Sequence, residues 1–109
     1  MGDEYSRQLE GLWEVVRSIP EGRVASYGAV GRALPNPVSG YLCGRWMASC
    51  PDDGTPWWRV VNARGELPIS KRDPRMAFDQ RKRLEEEGVP FDGDVISKEA
   101  FWEPGILFD

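Results

Sequence analysis

The side chains best suited to nucleophilic chemistry in this sequence are the thiols of Cys43 and Cys50. No histidine accompanies them, so the commonest general base and every triad that depends on it are missing. If both cysteines lie on one helix, their spacing places them about 10 Å apart along its axis, too far for a disulfide. We therefore expect reduced thiols, as in cytosolic proteins. Two cysteines without histidine do not complete a zinc site, and we predict no metal and no cofactor.

The tryptophan pair Trp57-Trp58 is the second feature with chemical potential. It follows the turn-rich run of residues 50–55 and precedes the strand-like Val60-Val61. This arrangement predicts a loop that enters a short strand. Loops on a rigid scaffold carry many binding residues, whereas aromatic residues at a strand edge also pack into cores. Position alone leaves both interpretations open.

Charge is distributed unevenly along the chain. The net charge is −4, but it divides into −3 over residues 1–21, +6 over residues 22–83 and −7 over residues 84–109. Nine of the eleven basic residues in the middle segment are arginines, which suit phosphate and base recognition better than lysines do. A local basic face can bind phosphates even in an acidic protein. Nucleic-acid binding is therefore one interpretation of this segment, and a solvated basic surface is the other.

The spacing of apolar residues predicts one domain over residues 1–109 that is mainly α-helical with a small β element. Ser26 is suited to cap a helix, and Gly88 to end one. Residues 91–109 would form a tail, and the sequence leaves open whether it only packs back on the core or also contacts nucleic acid. We expect helices over residues 4–18, from Tyr27 to Leu34, from Pro37 or Val38 to about Ser49, and from about Arg75 to Glu87.

The second and third predicted helices resemble a helix-turn-helix, joined by Pro35-Asn36-Pro37. This signal is weak on its own, because many helical hairpins bind no DNA. Gly40 and Gly44 lie four residues apart and would leave a bare stripe on the third helix. Such a stripe permits the close approach of another backbone. We favour helix–helix packing there over a contact with nucleic acid.

Several motifs occur in an order that resembles one family, the O6-alkylguanine-DNA alkyltransferases, over about residues 5–90. Residues 19–28, Ile-Pro-Glu-Gly-Arg-Val-Ala-Ser-Tyr-Gly, resemble the start of that family's helix-turn-helix domain. The family's Pro-Cys-His-Arg-Val motif reads Pro56-Trp57-Trp58-Arg59-Val60 here. Residues 69–73, Gln80 and residues 83–89 extend the resemblance. Trp57 thus replaces the alkyl-accepting cysteine, which marks the alkyltransferase-like members of the family.

The resemblance implies that an alkylated base is bound without catalysis. Alkyl transfer needs a thiolate that is activated by a neighbouring base or positive charge. Trp57 has no nucleophilic atom, and Trp58 replaces the histidine that would deprotonate the thiol. A tryptophan can instead wall a pocket for a base that has been flipped out of the duplex. The implied partners are double-stranded DNA that contains O6-alkylguanine, and the nucleotide excision repair proteins to which the lesion is handed.

Roles for individual residues follow from the same resemblance. Tyr27 matches the tyrosine that crowds the target phosphate and helps rotate the nucleotide, and Arg72 matches the arginine that lies over the flipped guanine. Without the resemblance, Tyr27 would be a core aromatic residue and Arg72 a solvated charge. Asn62 matches an asparagine that ties its turn to the recognition helix. Arg59 is expected to anchor the pocket loop through a carboxylate, and Pro56 belongs to the same lesion-binding motif.

The third predicted helix departs from the family pattern at one position. The family carries an arginine there that enters the duplex where the base has left. Alignment on Gly44 puts Tyr41 at this position, and Arg45 lies one helical turn further along the same face. Either side chain could wedge into the gap in the base stack, as apolar and aromatic residues do in other DNA-binding proteins.

Two other functions stay open on the sequence alone. One is an alkyltransferase that uses Cys43 or Cys50 as a relocated acceptor, and the other is a sequence-specific helix-turn-helix regulator. We expect a cytoplasmic monomer without membrane contact. The first residues show no signal-peptide pattern, and no apolar run approaches the roughly 20 residues of a membrane span.

Overall fold

Residues 3–67 and 73–104 are described by the computed structural model, and they form four α-helices and two small β-sheets. The helices are α1 (Asp3–Ser18), α2 (Tyr27–Arg32), α3 (Gly40–Met47) and α4 (Pro74–Glu86). The strands are β1 (Ala25–Ser26), β2 (Val60–Val61), β3 (Phe91–Asp92) and β4 (Val95–Ile96), and single 3₁₀ turns cover Trp57–Arg59 and Lys98–Ala100. The predicted fold class is confirmed. No helix within these ranges is long and apolar enough to cross a membrane.

The caps predicted at Ser26 and Gly88 are present. Ser26 Oγ accepts a hydrogen bond from the Ala29 N–H at 3.0 Å, and α2 begins at the next residue. Gly88 follows α4 with a φ of +85°, the left-handed conformation that ends many helices. However, α2 ends at Arg32, two residues before the predicted Leu34.

Helix α3 is shorter than predicted because Ser39 caps it. Ser39 Oγ accepts a hydrogen bond from the Leu42 N–H at 3.1 Å, whereas the Val38 N–H donates to a carbonyl of α2 at 3.1 Å. The helix therefore begins at Gly40, and the prediction of a start at Pro37 or Val38 is wrong. It also ends two residues earlier than predicted.

The glycine stripe of α3 packs against α2, which is the interpretation that the sequence favoured. A Cβ atom on Gly40 would lie 3.1 Å from the backbone nitrogen of Gly28. One on Gly44 would lie 3.7 Å from the ring of Tyr27. The two helices are thus in near backbone contact, and we refer to them as the α2–α3 hairpin.

Strands β1 and β2 pair in parallel, with Ala25 opposite Val60 and Ser26 opposite Val61. Successive residues of a strand point to opposite faces, so Val60 and Val61 enter different apolar clusters. The first cluster joins α1 to the α2–α3 hairpin. The second joins α4 to the C-terminal segment. The strand pair therefore connects the two halves of the core.

The segment after α4 packs back on the core, as expected for the tail. The Val24 N–H donates to the Ala100 carbonyl at 2.9 Å, and the Trp102 N–H donates to the Val24 carbonyl at 2.7 Å. Ile96 is buried, although Val95 is exposed. The apolar residues 106–108, for which the same packing was expected, lie outside the described residues.

Candidate functional site

A pocket of about 440 Å³ opens between the α2–α3 hairpin and α4. Its volume is in the range of ligand sites, roughly 300–1,000 Å³. The pocket loop, residues 50–56, and the 3₁₀ turn that follows it form the wall between the two helical parts. Principal lining side chains are Tyr27, Met47, Trp57, Trp58, Met76 and Arg83. The structure thus places Tyr27 and Trp57, both predicted site residues, in one pocket.

Trp57 lies at the first position of the 3₁₀ turn and is half-buried. Its ring meets that of Trp58 edge to face, with centroids 6.0 Å apart and an interplanar angle of 87°. Pro56 is buried and does not line the pocket, and its carbonyl accepts a hydrogen bond from the Arg59 N–H at 3.0 Å. Of the predicted lesion-binding pair, Trp57 therefore forms the wall, whereas Pro56 shapes the turn.

Glu87, just after α4, holds this turn in place. Its carboxylate accepts hydrogen bonds from Trp58 Nε1 at 2.9 Å, Arg59 Nη2 at 2.7 Å and the Gly22 N–H at 3.2 Å. Arg59 Nη1 also donates to the Ile19 carbonyl at 2.8 Å. Burial acts to raise the pKa of Glu87, but the hydrogen bonds from Arg59, Trp58 and Gly22 outweigh it and hold that pKa below its usual value. Glu87 thus supplies the carboxylate through which Arg59 was expected to anchor this part of the pocket wall.

Gln80 fixes the backbone of the same turn from inside α4. It is buried, and its Nε2 donates to the carbonyls of Trp58 and Val60, each at 3.2 Å. These bonds satisfy two carbonyls where the 3₁₀ turn gives way to β2. The sequence assigned no role to Gln80, although a helical wheel of α4 places it near Met76 and Arg83.

Arg83 lies over both tryptophans. Its guanidinium carbon is 4.6 Å from the ring centroid of Trp58 and 6.0 Å from that of Trp57. The guanidinium of Arg59 lies 5.6 Å from the Trp58 ring centroid. Trp58 is therefore contacted by two cations and donates its N–H to Glu87, so both its ring and its N–H are engaged within the protein.

The pocket loop is tied to α1 through Asp53 and Thr55. Arg17 Nε donates to Thr55 Oγ1 at 3.1 Å, and Arg17 Nη2 pairs with Asp53 at 3.2 Å. Asp53 also accepts hydrogen bonds from the Thr55 hydroxyl at 2.6 Å and the Thr55 N–H at 3.1 Å. The bonds from Thr55 hold the pKa of Asp53 below its usual value. The loop is therefore tied to α1, and the turn that follows it is tied to Gln80 and Glu87.

Both thiols are free, as predicted. Burial raises the pKa of Cys43 to about 12. Cys50 lines the pocket, where burial, followed by the charge of Asp53, raises its pKa to about 11. Both side chains are therefore neutral thiols near pH 7 rather than nucleophilic thiolates. Within the described ranges, no group of three or more potential ligand residues is placed to hold a metal ion.

Tyr41 and Arg45 lie on the exposed face of α3, outside the pocket. Tyr41 is 75% exposed, and its hydroxyl accepts a hydrogen bond from Arg45 Nη1 at 3.3 Å. The Arg45 guanidinium carbon lies 6.0 Å from the Tyr41 ring centroid. The two candidates for the wedge are thus in contact with each other and not with Trp57.

Asn62 organises its own turn. Its side-chain oxygen accepts hydrogen bonds from the Arg64 and Glu66 N–H groups at 3.0 and 2.9 Å, and its Nδ2 donates to the Glu66 carboxylate at 3.1 Å. Gly65 completes the turn with a φ of +81°. Among the described residues these bonds stay within the turn, so the expected tie between Asn62 and α3 is not seen there. Arg72 lies outside the described residues.

Comparison with known proteins places this architecture in a family. Residues 9–89 match the family of the 6-O-methylguanine DNA methyltransferase, DNA binding domain. Alkyltransferase-like protein 1 of Schizosaccharomyces pombe is 40% identical over 80 residues, which cover 72% of each chain. A DNA base-flipping protein of Vibrio parahaemolyticus is 27% identical over 96 residues, which cover 85% of this chain and 93% of the relative.

A solved structure agrees with the sequence comparisons. The crystal structure of S. pombe Atl1 in complex with damaged DNA containing O6-carboxymethylguanine is 33% identical to this chain and superposes with a TM-score of 0.73. The match covers 91% of this chain and 97% of the other. With tryptophan at position 57, where the alkyltransferases carry the acceptor cysteine, the chain belongs to the alkyltransferase-like proteins of the O6-alkylguanine-DNA alkyltransferase family.

Proposed function

We propose that this protein is a non-catalytic reader of DNA damage, which binds O6-alkylguanine in duplex DNA and holds the flipped base beside Trp57. The observation that carries the proposal is the indole of Trp57 in the pocket wall, at the position of the acceptor. Flipping a base costs a few kcal/mol of stacking, and contact with an aromatic side chain returns about 1–3 kcal/mol per base. An indole supplies this contact and accepts no alkyl group.

The chemistry around Trp57 supports binding without alkyl transfer. The nitrogen of Trp58 is a donor only and is engaged with Glu87, so it takes up no proton. Cys50, the thiol in the pocket lining, has a pKa of about 11 and no histidine beside it. Cys50, as a candidate alkyl acceptor, therefore has neither a thiolate nor a neighbouring histidine to generate one.

The α2–α3 hairpin is the part of the protein that we propose to meet DNA. Tyr27 lies where α2 meets the pocket, which suits the proposed displacement of the target nucleotide. Tyr41 and Arg45 are exposed on α3 and are the proposed wedge. Arg72 is proposed to lie over the flipped guanine. The acidic ends of the chain are candidates for the contact with nucleotide excision repair proteins, and we propose that the protein works as a cytoplasmic monomer.

A paired titration tests the proposal. Duplexes that differ only in one O6-methylguanine are titrated at one fixed salt concentration, because phosphate contacts make every affinity salt-dependent. We expect the modified duplex to bind about tenfold more tightly in several sequence contexts. Preference for one unmodified sequence would support the regulator instead. Intact-mass measurement after incubation should show no added methyl group, and a stoichiometric gain of one methyl group would identify an enzyme.

A further inference from the structure

Arg83 brings a guanidinium to the pocket, and most of its donors have no partner among the described residues. Its Nε–H donates to the two carboxylate oxygens of Asp79 at 3.2 and 3.1 Å. Arginine carries five N–H donors in a planar fork. Across residues 3–67 and 73–104, the four N–H groups on Nη1 and Nη2 of Arg83 have no acceptor. These are the donors that bind carboxylates in pairs.

The position of Arg83 makes these donors relevant to the lesion. The guanidinium lies over Trp58 and near Trp57, so two indole rings shield part of it from water. Trp57 stands where the family's acceptor meets the alkyl group. The O6 substituent of a guanine flipped into this pocket therefore ends beside Trp57, on the side where Arg83 lines the wall.

The other charges of the pocket limit how this attraction can act. Asp52 and Asp73 also line the pocket, so its walls are not positive as a whole. Asp73 is engaged as the cap of α4, where it accepts hydrogen bonds from the Arg75 and Met76 N–H groups at 3.1 and 3.3 Å. Asp52 is exposed at the rim. Long-range attraction therefore does not favour an anion, and selection requires a substituent that reaches the free edge of Arg83.

We propose that Arg83 makes the pocket selective for O6 substituents that end in a carboxylate, such as a carboxymethyl group. The inference rests on the proposed function and adds a substituent class and a specificity-determining residue to it. A carboxylate and a guanidinium form paired, charge-assisted hydrogen bonds that a neutral group of the same shape does not form. Since the Arg83 side chain is 43% exposed, we expect a moderate selectivity.

The test compares substituents of equal shape and different charge. The full chain is titrated at fixed salt with duplexes that contain O6-carboxymethylguanine, O6-carbamoylmethylguanine, O6-methylguanine or guanine. We expect the carboxymethyl duplex to bind about fivefold more tightly than the neutral carbamoylmethyl duplex. Arg83→Gln should abolish this difference, which is measured between two duplexes bound by the same variant. Lys82→Gln is the matched control, because it removes one charge from an exposed residue of α4 outside the pocket.

The outcomes separate this inference from the function on which it rests. Equal binding of the carboxymethyl and carbamoylmethyl duplexes by the wild type overturns the role of Arg83, and so does a preference that survives in Arg83→Gln. A loss of the preference in Lys82→Gln would also overturn it, because net charge would then be the cause. If the wild type does not distinguish O6-methylguanine from guanine, the proposed function itself is wrong.

Discussion

The pocket wall and the outer face of α3 are held in different ways. In the wall, Trp58 and Arg59 share the carboxylate of Glu87, and Gln80 fixes the backbone of the same turn. On α3, the exposed Tyr41 meets Arg45 through one hydrogen bond of 3.3 Å. The wall is therefore ordered before any ligand arrives, whereas the side chains of α3 keep much of their rotamer freedom.

This difference divides the work of binding between two regions. Groups that are already ordered lose little entropy when a ligand binds, so they discriminate well between similar ligands. Side chains with rotamer freedom lose more entropy but adapt to different neighbouring base pairs. We therefore expect the pocket to determine which base is held, and α3 to contribute affinity for DNA in general.

The largest expected effect is the loss of the order in the wall. Glu87→Ala removes the carboxylate and leaves the Arg59 guanidinium, whose side chain is 13% exposed, without its ion pair. We expect the free energy of unfolding to fall by about 3 kcal/mol, as for other buried pairs that lose one partner. Urea denaturation measures this change. The control is Glu85→Ala, which breaks the exposed pair with Arg81 and should cost about 0.5 kcal/mol or less. Similar losses in both variants would show that Glu87 does not hold the turn of Trp58 and Arg59 in place.

A smaller effect is expected when the wall stays ordered and loses only its indole. Trp57→Ala should weaken binding of the O6-methylguanine duplex by about 1–3 kcal/mol, because one base–aromatic contact is lost. Binding of the unmodified duplex should change little. Phe78→Ala serves as control, since Phe78 is a 72% exposed aromatic residue of α4 outside the pocket. A parallel loss for both duplexes would assign Trp57 to general DNA contact.

On the outer face of α3, Tyr41→Ala and Arg45→Ala should each weaken binding of the lesion duplex, by an amount that is the same in different sequence contexts. We expect about 1 kcal/mol for the side chain that forms the wedge and less for the other. Titrations of both variants with the lesion duplex in several sequence contexts measure this effect. If each variant binds the lesion duplex like the wild type, neither residue fills the gap left by the base. A loss that differs between sequence contexts would contradict the division of work between the regions.

The smallest effect concerns the tie between the pocket loop and α1 and the pH dependence of that tie. The pKa of Asp53 lies below its ordinary value of 3.8 in the folded protein. Its bonds with Thr55 and Arg17 therefore stabilise the fold above that value, and this contribution is lost as the pH falls through the lowered pKa. Unfolding measured between about pH 7 and pH 3 should depend less on pH in Asp53→Asn than in the wild type. Identical pH profiles would show that the loop is held by other contacts.

The sequence predicted features that depend on near neighbours. The cap at Ser26, the end of α4 at Gly88 and the packing role of the glycine stripe all follow from local rules about helices. The position of Trp57 in the pocket wall followed from a motif of five residues. The predicted start of α3 was wrong because two residues each suit the beginning of a helix. The helix begins after the cap at Ser39 and not at the proline at position 37.

The hydrogen bonds by which Glu87 holds the turn could not be predicted in the same way. Glu87 follows Arg59 by 28 residues, and nothing in the local pattern at either position selects one carboxylate among several at the end of α4. Only the fold brings the end of α4 against the turn. The same reason applies to the tie between Arg17 and the pocket loop, which spans 38 residues from Arg17 to Thr55.

The parallel pairing of β1 with β2 also determines the order in which the parts of this protein can form. The α2–α3 hairpin needs only short loop closures, whereas Ala25 meets Val60 across 35 residues. During synthesis, the hairpin leaves the ribosome before β2 and α4 do. A chain at that stage has the helices that we propose to bind DNA, but it lacks the pocket for a base. We therefore expect discrimination between damaged and intact DNA to arise only after β2 and α4 have packed against the hairpin.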